Sequence, residues 1–77
     1  MRRPSEVQAV AEQLRQAMAA RELAAANLRR QEQLQASGFV SAAAIDDART
    51  QLRRDEAQVA SLQGQVATTK LPAPAGR

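Results

Sequence analysis

Apolar residues recur along the chain in two heptad-spaced runs separated by one short break. Val7, Leu14 and Leu28 fall on a seven-residue spacing, with Arg21 at the missing rung. Ala11, Met18 and Ala25 follow Val7, Leu14 and Arg21 by four residues. This thin, alanine-rich seam predicts a first helix over residues 5–36. Ile45, Leu52, Val59 and Val66 are also seven apart, with Ala48 and Leu62 offset by three. That fuller seam predicts a second helix over residues 42–69. No window alternates with period two, so no strand is expected.

The break at residues 37–41 has the chemistry of a turn between helices. Gly38 suits the C′ position, where a helix ends in a left-handed residue. Ser41 suits an N-cap, and Val40 and Ile45 stand at N′ and N4, the positions of a hydrophobic staple. A connection this short forces an antiparallel pair. At the other end Ser5 suits an N-cap, with Glu6 in the first turn. Lys70 suits a C-terminal turn, and Pro72 and Pro74 forbid continuation. The expected architecture is all-α: an antiparallel two-helix coiled-coil hairpin over residues 5–69. A flexible lead-in covers 1–4 and an extended tail 70–77. Gly64 inside the second helix is tolerated at about 1 kcal/mol relative to Ala.

Composition sharpens this picture. The chain has 77 residues, enough for one small domain. Its apolar share is 44%, but much of that is alanine, which adds helix propensity and little burial. Bulk is scarce, so Phe39, the only Phe, stands out at the turn. An apolar ring at the tip of a polar hairpin has no core nearby; it packs locally or meets a partner.

Charge and residue chemistry exclude several function classes. The net charge of +3 is mild, and the acids lie between the arginines. There is no Cys or His, so the usual nucleophile–base pairs and metal-ligand spacings are absent from the sequence. No enzyme activity and no cofactor are expected. Glu12 with Arg15, Glu22 with Arg15, and Asp46 with Arg49 read as solvated helix pairs, worth about 0.2–0.5 kcal/mol each. The doublets Arg29-Arg30 and Arg53-Arg54 read as a charged flank, the first near the level of Asp46 and Asp47. Gln35 to Ala48 imitates a helix-turn-helix only weakly, because no third helix holds the pair at a steep angle. Leu34 lies six residues beyond Leu28, off the first seam, which suits a surface contact. No apolar run approaches the roughly 20 residues that span a bilayer. The start has no apolar h-region, so no signal peptide is expected in this chain.

The turn region resembles the helical hairpin of the bacterial membrane fusion proteins, the periplasmic adaptors of tripartite efflux pumps and haemolysin D-type secretion systems. The tip motif of that family is Arg, then Leu four residues on, then Ser seven beyond. Arg30, Leu34 and Ser41 match all three positions. The run Gly38-Phe39-Val40-Ser41, followed by Ile45-Asp46 and Ala48, is also similar. The likeness extends over roughly residues 7–71. Residues 69–77, with Leu71-Pro72-Ala73-Pro74 and Gly76, resemble the exit from that hairpin into a lipoyl-like domain. The chain departs from the family at Ala44, where an acidic residue often stands at N3.

The resemblance implies a hairpin that docks tip-first on a TolC-type outer-membrane channel. It assigns Arg30, Leu34 and Ser41 to that contact, with Gly38, Phe39 and Val40 adding the apex. It further implies neighbouring adaptor hairpins in a homo-oligomer, and an inner-membrane transporter reached through a longer parent protein. It places that parent in the periplasm, attached to the inner membrane, with the 77 residues as a fragment of it. Two other readings stand beside this one. The chain could be a small basic helical nucleic-acid-binding protein, although no nucleic-acid footprint is clear, or a self-associating coiled-coil scaffold. Gly38 and the tip motif argue against the scaffold, which could run straight through as helix.

Overall fold

Helix α1 spans Pro4–Ala36 and helix α2 spans Ala42–Lys70. The structure, a computed structural model, describes residues 4–70, and those residues contain two helices and no strand. The helices run antiparallel across the turn and form a rod of 59 × 24 × 13 Å. Pro4 is already helical, so Ser5 lies inside the first turn and not at the N-cap expected for it. Proline suits that position, because its φ is preset for the helix and its missing N–H would have had no partner. Lys70 closes α2 in place of opening a tail. The rest of the expected lead-in and tail, with its likeness to a lipoyl-like exit, lies outside the described residues.

Among the described residues, Ala17, Ala24, Ile45, Ala48, Val59 and Leu62 form the buried core. Ala17, Val59 and Leu62 make its densest cluster, with Leu14 packed against it. On α2 the buried and half-buried positions follow the expected seam: Ile45, Ala48, Leu52, Val59, Leu62 and Val66. On α1 the seven-residue rungs Val7, Leu14 and Leu28 are half-buried, as are the offset positions Ala11 and Ala25, but Met18 is not. Ala17 and Ala24 are buried, three residues beyond Leu14 and Arg21, while Met18 is 40% exposed. The cause lies on the opposite helix. Val59 and Leu62 already fill the interface, so α1 faces them with its smallest side chains, which lets the helices approach.

One level of the seam is polar. Arg21 and Asp55 are both half-buried at seam positions. Leu14 and Ala17 of α1 share one cluster with Val59 and Leu62 of α2, and counting along both antiparallel helices from that cluster puts Arg21 level with Asp55. The amide of Gln51 donates to both Asp55 carboxylate oxygens at 3.2 Å.

Gly64 is open on its outer side: a Cβ built there would meet nothing within 4 Å. It is therefore not required for a close backbone approach. The Thr68 hydroxyl donates back to the Gly64 carbonyl at 2.9 Å, a local bond that leaves the helix intact.

Candidate functional site at the hairpin apex

The end of α1 is built by main-chain hydrogen bonds. Phe39 N–H donates to the Leu34 carbonyl at 2.8 Å, and Gly38 N–H to the Gln35 carbonyl at 2.9 Å. These two bonds define a Schellman motif with Ser37 at the C-cap, Gly38 at C′ and Phe39 at C″. The motif requires a left-handed residue at C′, and Gly38 has φ +82°. Space is not the constraint, since a Cβ at Gly38 would meet nothing within 4 Å; the backbone conformation is. Ser37 N–H also donates to Leu34 O at 3.2 Å. The Leu34 carbonyl thus terminates the helix twice over.

The start of α2 is built by a side chain. The Ser41 hydroxyl oxygen accepts from Ala44 N–H at 3.2 Å, and the Ser41 carbonyl accepts from Ile45 N–H at 3.3 Å. Ser41 is therefore an N-cap, with Ala44 at N3. Ala44 has no carboxylate to return the bond, so the capping box is half made. Val40 at N′ is half-buried and Ile45 at N4 is buried, as a staple requires.

Of the six residues singled out in the sequence, Arg30, Gly38, Phe39 and Ser41 are plainly exposed, Leu34 is 36% exposed and Val40 is half-buried. Arg30 and Leu34 lie one turn apart on one face of α1. Phe39, 77% exposed, is tied to Leu34 through its own N–H. Ser41 lies across the turn, on the other helix. The hydroxyl that caps α2 retains a donor and a lone pair for a further contact. The apex can therefore offer a planar cation, two apolar side chains and a hydroxyl on a turn fixed at both ends.

Just below the turn, Arg49 lies 3.8 Å from Glu32 across the hairpin and 3.9 Å from Asp46 on its own helix. This is the cross-helix ion pair seen at this level among the described residues. The expected neighbours of Arg29 and Arg30, Asp46 and Asp47, do not bond to them there. Arg30 has no ion pair among the described residues. Farther down, Arg15 pairs with Glu12 at 2.6 Å, and no pair with Glu22 forms among the described residues.

Two features escaped the reading of the sequence. Leu23 is 73% exposed, although it sits beside buried Ala24. Its position off both seams is visible in the numbering, but a search for seams passes over it. An open groove of about 680 Å³ also lies near the far end of the rod, lined by Glu6, Ala9, Val10, Ser61, Gly64, Gln65 and Thr68. Small side chains on both helices leave that space, and its signal in the sequence is only the pairing of alanine with glycine. Among the described residues no acidic cluster is suited to a metal ion, and no helix is long and apolar enough to cross a membrane.

A family model described as "RND MFP, alpha-helical hairpin domain" matches residues 6–72. No curated protein and no solved structure matches the chain.

Proposed function

Because the chain belongs to the α-helical hairpin domain family of the RND membrane fusion proteins, we propose that it docks apex-first on a TolC-type outer-membrane channel. Proteins of this family are periplasmic adaptors, not enzymes, and work between an outer-membrane channel and an inner-membrane transporter. The observation that carries the reading is the apex itself. Phe39 and Leu34 present apolar surface at the end of a rod, where folding has no use for it, and two sets of cap bonds hold the turn.

Each apex residue has a physical role in this contact. Arg30 directs up to five donors at carbonyls or carboxylates of the channel's helical ends. Leu34 and Phe39 supply apolar anchors, with a smaller share from half-buried Val40. Gly38 sets the shape of the turn, and Ser41 caps α2 while offering its free donor. The hairpin catalyses nothing. It positions and seals, and the energy for transport comes from the transporter partner. That transporter is reached through the rest of a longer adaptor attached to the inner membrane. Neighbouring copies of the hairpin stand side by side around the channel.

The test is binding of the chain to a purified TolC-type channel in detergent. Arg30→Asp and Leu34→Asp are expected to abolish binding, with helicity by circular dichroism unchanged. Wild-type binding by both variants overturns the assignment. Docking tighter on duplex DNA than on the channel, weakening steeply as salt rises, would move the chain to the nucleic-acid class instead.

A further inference from the structure

We draw no further inference here: the strongest candidate, the surface patch on the exposed flank of α1 around Leu23, which is 73% exposed, carries nothing because nothing in the structure shows what covers it.

Discussion

The two helices differ in how much of their apolar bulk they bury. Helix α2 buries Ile45, Val59 and Leu62 and leaves no large apolar residue exposed among those described. Helix α1 buries only Ala17 and Ala24, half-buries Leu14 and Leu28, and carries Met18, Leu23 and Leu34 at its surface. Both helices are otherwise alike in length and polarity. Burial of bulk thus rests mainly on α2, with Leu14 of α1 packed against its cluster. Apolar bulk on α2 belongs to the fold, and α1 leaves Met18 and Leu23 at its surface.

Substitutions can break or sharpen this contrast. The largest effect is expected at Leu62→Ala, which empties the core beside Val59 and Ala17. Loss of a buried leucine costs about 2–5 kcal/mol, comparable with the whole stability of so small a domain. Circular dichroism is expected to show a chain largely unfolded at room temperature; an unchanged melt would mean that α2 does not hold the hairpin. Next comes Gly38→Ala, which forces a Cβ into a left-handed backbone at the apex. A cost of about 1 kcal/mol is expected, read as a lower melting temperature with the helices still formed. The smallest effect is expected at Leu23→Ala, within about 0.5 kcal/mol of wild type. A cost near that of Leu62→Ala would show that α1 also uses its outward leucine for folding, and the contrast would collapse.

The turn is the most legible part of the chain. Gly38, Ser41 and the Val40–Ile45 pair each act over a few residues, so their roles can be read from local order alone. The α2 seam is legible for a similar reason: its bulky residues differ sharply from the polar ones between them. The α1 seam is not. Ala11, Ala17, Ala24 and Ala25 are identical in hydropathy, and Val59 and Leu62 on the other helix decide which of them turn inward. The entry to α1 is also misleading, because Ser5 has cap chemistry but Pro4 already has helix geometry. At the site, the location of Arg30, Leu34 and Ser41 around the apex follows once the turn is known. The exposure of Leu23 does not, because it depends on the rotation of α1, which alanines leave undetermined until α2 is in place.

The level shared by Arg21 and Asp55 has a consequence for measurement of length. Heptad seams repeat, so one helix could slide along the other by a full heptad and still find apolar partners. After such a slip Arg21 would stand against Ala48 or Leu62, and Asp55 against Leu14 or Leu28, each a charge facing an apolar side chain. The polar level works as the zero mark on a ruler. Together with the capped turn it fixes one register of α2 on α1, and with it how far the apex stands from Arg21.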